Sequence, residues 1–156
     1  MERIASFCVD HTTLRPGMYL SRKDGEVLTW DIRMKRPNQG QYLSPAAAHT
    51  IEHLFATYAR NSKWSEHVVY VGPMGCLTGF YLLTQGLSDA DALALVRESF
   101  AWMAGYTGEI PGASERECGN YRMMDPPAAR REAAEMLPVL EKLDPDHLRY
   151  DSRPLA

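Results

Sequence analysis

Long apolar runs are missing from this sequence. None approaches the roughly 20 consecutive apolar residues that a membrane-crossing helix needs, so no membrane role is expected. The opening residues, Met1 to His11, hold no apolar stretch of the kind found in a secretory leader, and a cytoplasmic protein is expected. Positive charge is also short. Seventeen Lys and Arg stand against 20 Asp and Glu, a net charge of -3. Nucleic-acid binding needs a basic surplus on one face, so no nucleic-acid partner is expected. The one basic concentration, Arg33, Lys35 and Arg36, reads equally well as a solvated strand end or as an anion contact. Cysteine is scarce and odd in number: Cys8, Cys76 and Cys118. That excludes a disulfide framework and leaves free thiols for packing, metal ligation or catalysis. Repeats and low-complexity segments are absent too. What remains, 45% apolar and 24% charged residues in a chain of 156, is the make-up of one globular domain spanning 1–156.

Local signals divide that chain. Asp24-Gly25 is a tight-turn dipeptide between Met18–Lys23 and Glu26–Met34, predicting a β-hairpin. In its second arm Leu28, Trp30, Ile32 and Met34 alternate with Val27, Thr29, Asp31 and Arg33, so the apolar set should face the core. Ser44-Pro45 is an N-cap followed by proline, and the spacing of Ala47, Ile51, Leu54, Phe55 and Tyr58 predicts a helix to about Asn61. His67–Val71 and Thr78–Thr84 read as strands, Ser88 to about Ala104 as a helix, and Glu109–Tyr121 as a loop. A last helix starts at Asp125-Pro126, with Pro138 expected to kink or interrupt it, and Arg149–Ala156 reads as a loose tail. The fold class is α+β: an antiparallel sheet packed against helices as a two-layer sandwich.

The chemistry concentrates in H-T-I-E-H. On a helix His49 and His53, four apart, share a face and can share a metal ion. Glu52 leans toward the same face, where its carboxylate would carry protons. A solvated polar face would contain the same residues. A catalytic metal site has three protein ligands and an open position. Cys118, in the loop E-R-E-C-G-N-Y, is a candidate for the third, or else a small buried residue. Cys76 lies between glycines in G-P-M-G-C-L-T-G, suited to a nucleophile, to acid–base work, or to a structural turn.

Together these pieces resemble S-ribosylhomocysteine lyase, the LuxS family. The resemblance runs from Ser6 to about Asp125 through S-F-C-V-D-H, D-I-R, R-P-N-Q-G, H-T-I-E-H, P-M-G-C-L-T-G and E-C-G-N-Y, in order and at family-like spacing. It implies His49, His53 and Cys118 as ligands of one divalent metal per subunit, Fe²⁺ with Zn²⁺ or Co²⁺ able to substitute. It implies Glu52 and Cys76 as paired acid–base groups and Ser6, His11 and Arg33 as substrate contacts. It further implies a homodimer with active sites at the interface. The substrate would be S-ribosylhomocysteine, and the products homocysteine and 4,5-dihydroxy-2,3-pentanedione, precursor of autoinducer-2. That reaction also recycles what S-adenosylmethionine leaves after methyl transfer. The chain departs from the pattern before Pro73, where Tyr70-Val71-Gly72 replaces an acid, a branched residue and a serine in many members.

Two other readings fit H-x-x-E-H. An inverted zinc-peptidase motif would need a further carboxylate ligand and a larger scaffold. A structural zinc domain would need a fourth ligand, Cys76 or Cys8, closing the site.

Overall fold

The computed structural model describes residues 1–150. Gly25, with φ +59°, turns the chain at the first position of a two-residue loop. It joins strand β1 (Gly17–Asp24) to β2 (Val27–Arg33), with Asp24 opposite Val27. The turn therefore sits on Gly25-Glu26, one residue beyond the Asp24-Gly25 expected, because only glycine meets the left-handed requirement freely. Asp24 instead closes β1 and accepts from Arg22 Nε at 2.8 Å.

Helix α1 (Pro45–Asn61) begins as expected, Ser44 accepting from the Ala47 amide at 3.1 Å. A second hairpin follows: β3 (Val68–Pro73) and β4 (Gly79–Gln85) flank the loop 74–78. β4 also pairs with β2, giving an antiparallel sheet in the order β1-β2-β4-β3. Helix α2 (Asp89–Gly105) starts at Ser88, whose hydroxyl accepts from the Asp91 amide. Helix α3 (Pro126–Glu141) is capped by Asp125.

Pro138 does not interrupt α3, which continues to Glu141. The proline lies in the last turn and faces water, so the carbonyl that loses its partner can be solvated. Nor is the end of the chain loose from Arg149 onward. Leu148 is buried, its carbonyl accepts from the Leu20 amide at 2.9 Å, and Arg149 pairs with Asp89 at 3.0 Å. The rest of the expected tail, 151–156, lies outside the described residues.

One face of the sheet meets the helices. Trp30, Ile32, Phe80 and Leu82 join Ile51, Leu54 and Phe55 of α1 and Phe100 of α2 in a single cluster. Period-two alternation put Trp30 and Ile32 there, as expected. The opposite face of β2 is buried as well. Asp31 is 0% and Arg33 2% exposed, where alternation alone would leave polar side chains in solvent. The two form an ion pair at 2.6 Å. Burial opposes the Arg33 charge, but hydrogen bonds and attraction from Asp31 outweigh it and raise the guanidinium above its ordinary pKa. Asp31→Ala should cost about 3–5 kcal/mol in denaturant unfolding, since it strands a buried cation. A loss below about 1 kcal/mol would mean that water reaches Arg33 and solvates it in place of the carboxylate.

Candidate active site

The apolar stripe of α1 turns inward and leaves His49, Glu52 and His53 half-buried on its flank. Two backbone carbonyls then fix the histidines. His49 Nδ1 lies 2.8 Å from the Met123 oxygen and His53 Nδ1 2.7 Å from the Pro111 oxygen. A carbonyl only accepts, so each Nδ1 carries a proton and donates it, and in the neutral ring that leaves Nε2 with its lone pair. The two Nε2 atoms nevertheless face each other at 3.1 Å, and Cys118 Sγ stands 3.4 Å from His49 Nε2. Lone pairs this close repel unless a cation lies among them. All three ligand atoms fall within 4.8 Å of one another. Two imidazoles and a thiol are a donor set that fits a divalent transition metal.

The supports behind these ligands are local and specific. Gly112 has φ +72°, and a Cβ there would stand 3.2 Å from His53 Nδ1, so glycine lets the Pro111 carbonyl reach the ring. Thr50 accepts from the Asp125 amide at 2.8 Å while donating to the Ala46 carbonyl, which ties the loop carrying Met123 to α1. Cys118 Sγ accepts from the Asn120 amide at 3.4 Å, a bond that favours a sulfur bearing negative charge. Glu52 makes no hydrogen bond or ion pair among the described residues, so its carboxylate is free for other work.

A second group forms on the sheet face away from the helices. Arg33 Nε and NH2 donate to the two Asp31 oxygens at 3.0 and 2.6 Å. Its NH1 donates to Thr78 Oγ1 at 2.8 Å and lies 4.0 Å from Cys76 Sγ. Cys76 Sγ is itself 3.0 Å from Thr78 Oγ1, in an exposed residue. The loop is held in a sparsely populated conformation. Leu77 takes φ +60°, a cost of order 1–3 kcal/mol for a side chain of this kind. Its side chain packs on the core and its carbonyl accepts from Leu43 at 2.9 Å, which together hold the turn presenting Cys76. Gly79 follows, where a Cβ would collide with the Ile32 carbonyl, so β4 can close onto β2 beside Arg33.

Of the residues singled out in the sequence, His49, His53 and Cys118 come together, Glu52 stands on the same helix flank, and Arg33 meets Cys76. Ser6, in the short turn Ala5–Phe7, and His11, whose Nδ1 lies 2.8 Å from the Val9 carbonyl, make no hydrogen bond to either group among the described residues. The unusual Tyr70-Val71-Gly72 is internally consistent. A Cβ at Gly72 would lie 2.6 Å from the Tyr70 ring, so glycine leaves room for the exposed tyrosine to lie back over the strand. Neither Cys76 nor Cys8 belongs to the metal group, so among the described residues no closed four-ligand zinc site forms. No carboxylate joins it either, as a peptidase motif would require. Pattern reading missed the carbonyls of Pro111 and Met123 and the part played by Thr78. Thr78 lies inside a quoted motif, but backbone carbonyls leave no signal in side-chain identity.

Fold and site define a small α+β enzyme domain with a place for one metal ion and a separate arginine-backed thiol. The chain belongs to the LuxS family, described as S-ribosylhomocysteinase, whose model matches residues 4–145. It is 50% identical to a protein of Phocaeicola vulgatus named S-ribosylhomocysteine lyase, over 98% of this chain and 99% of that one. Proteins of the same name from Clostridium acetobutylicum and Borreliella burgdorferi are 47% and 44% identical, each over 96% of this chain and 99% of its own length. No helix among the described residues is long and apolar enough to cross a membrane.

Proposed function

We propose that this chain cleaves the thioether of S-ribosylhomocysteine, releasing homocysteine and 4,5-dihydroxy-2,3-pentanedione, as one catalytic domain in the cytoplasm. The observation that carries the reading is the convergence of two bare Nε2 atoms and a thiol beside an uncommitted carboxylate. His49, His53 and Cys118 would hold one divalent ion, Fe²⁺ with Zn²⁺ or Co²⁺ as substitutes. Such an ion supplies Lewis acidity toward negative charge developing on the sugar oxygens.

The chain's own groups handle the protons. The sugar carbonyl must move from C1 to C2 and then to C3 before the sulfur on C5 stands β to it. Each move takes a proton from one carbon and returns it to its neighbour. Cys76 Sγ, with Arg33 NH1 and Thr78 beside it, is the carrier on one side of the carbon chain, and the Glu52 carboxylate on the other. A last deprotonation at C4 expels homocysteine as its thiolate, which leaves with the C–S electron pair and picks up a proton, and the enol left behind loses its hydroxyl proton and gains one at C5 to become the dione. No covalent bond to the protein is needed. Ser6, His11 and Arg33 would orient the substrate.

A homodimer with active sites at the interface belongs to this reading. Arg33 and Cys76 gather off the sheet face opposite the helices, whereas the metal group rides on the helical layer. Ile4, Phe7, Val69 and Tyr70 are exposed apolar or aromatic side chains for a second copy to cover.

Anaerobic Fe²⁺-loaded protein mixed with S-ribosylhomocysteine should release one thiol per substrate, followed with a thiol reagent, and should sediment as two chains. No thiol from fully metallated protein would sink the substrate assignment.

A further inference from the structure

Arg33 uses one edge on Asp31 and points its remaining nitrogen at Thr78 and Cys76. Asp31 therefore decides where that nitrogen points. A residue 119 positions away holds Asp31 in turn. Tyr150 Oη donates to Asp31 Oδ2 at 2.6 Å, the same oxygen that receives Arg33 NH2 at 2.6 Å. We propose that Tyr150 is a positioning residue for the Cys76 thiol, acting through Asp31 and Arg33.

Tyr150 is fastened well enough to do this. Its ring stacks on Tyr19 with centroids 5.0 Å apart and planes 14° from parallel. Two residues earlier, the Leu148 carbonyl takes the Leu20 amide on the outer edge of β1. Arg149 is tied to Asp89 on α2. The end of the described chain thus lies across the sheet as a strap, with the phenol as its tip.

The chemistry of the contact has a direction. Burial first, and then the Asp31 charge and hydrogen bond, push the Tyr150 hydroxyl far above the usual phenol range, against smaller opposing effects of Ser21 and Arg33. The hydroxyl is therefore a donor at every working pH. By donating to Oδ2 it takes up part of the carboxylate's charge. Less of the Arg33 charge is then compensated at the Asp31 edge, and more acts at NH1, beside Cys76. The ionisable groups at the register position of Asp31 on the neighbouring strands are Tyr19 on β1, stacked on Tyr150, and, on β4, Tyr81. Burial, then Asp31, raises its pKa too, so it stays neutral beside the pair. A ring alone would cover the sheet. The hydroxyl adds what the ring cannot, a hydrogen bond that aims the buried carboxylate and shares its charge.

This inference rests on Cys76 being a proton carrier. It is tested on metal-loaded holoenzyme bearing Tyr150→Phe, which keeps the ring and the stack. Two rates are followed: alkylation of Cys76 by iodoacetamide at pH 7, read on the Cys76 peptide by mass spectrometry, and turnover. Since losing one hydrogen bond to a charged group corresponds to about tenfold, alkylation and kcat should each fall about three- to tenfold. Arg149→Ala, which removes one fastening of the strap but keeps the hydroxyl and the Leu148 bond, should slow alkylation less than Tyr150→Phe does. Tyr150→Phe alkylating and turning over at full rate, whatever happens to its Tm, would overturn the proposal and leave the tyrosine a packing residue. A Cys76→Ala protein that still turned over would instead strike the thiol's role as proton carrier, while the alkylation comparison still judged the link from Tyr150 to the thiol.

Discussion

Cys76→Ala should lower turnover of S-ribosylhomocysteine about a thousandfold or more while keeping the metal and the fold. One general acid–base group contributes about 10²–10⁴-fold, and Cys76 is assigned more than one transfer in the sequence. The fold should survive because the residue is exposed and its turn is held by Leu77 and Leu43 rather than by sulfur. Glu52→Gln should behave alike, since Glu52 ligates nothing and its carboxylate is uncommitted. The decisive measurement pairs turnover with metal content on the same samples. Metal lost from Glu52→Gln would make it a ligand and remove its role as a carrier. Substantial turnover by Cys76→Ala would move the proton traffic to another group.

The second large effect concerns the metal group. His53→Ala and Cys118→Ala should each lose the ion and, with it, turnover. Each removes one of three ligands, and the two that remain cannot hold a divalent ion in a site that leaves a position open for substrate. The test is the absorption of Co²⁺-loaded protein. Thiolate-to-cobalt bands should vanish in Cys118→Ala and persist in Cys76→Ala. If they weakened in Cys76→Ala, that thiol would be a fourth ligand and the site closed. The carbonyl supports predict a graded version of the same result. Gly112→Ala, which crowds His53 Nδ1, should weaken metal binding by about 10–100-fold, the usual range for groups that hold a ligand in place.

Much of the scaffold was legible because its causes are local. Ser44-Pro45 starts α1, and Ser88 starts α2, by side chains that reach three residues along the same chain. Gly25 turns the first hairpin by its own freedom of φ, and only the exact loop position shifted. His49, Glu52 and His53 lie on one flank because 3.6 residues make a turn. Pro138 misled for a local reason of another kind: the rule against proline in helices is weak where the chain faces water near its last turn.

The residue types for a metal centre, the thiol in its glycine-rich turn and the family they resemble were therefore determined by the sequence itself. Only the tertiary structure decided which proton each histidine keeps, because the Met123 and Pro111 carbonyls arrive from 74 and 58 residues away. Burial of Asp31 and Arg33 was decided there too, since alternation names the faces of a strand but not what will cover the second one. Tyr150 reaches Asp31 across 119 residues. No pattern in a window of sequence encodes that contact, for it depends on the path of the whole chain back to the sheet.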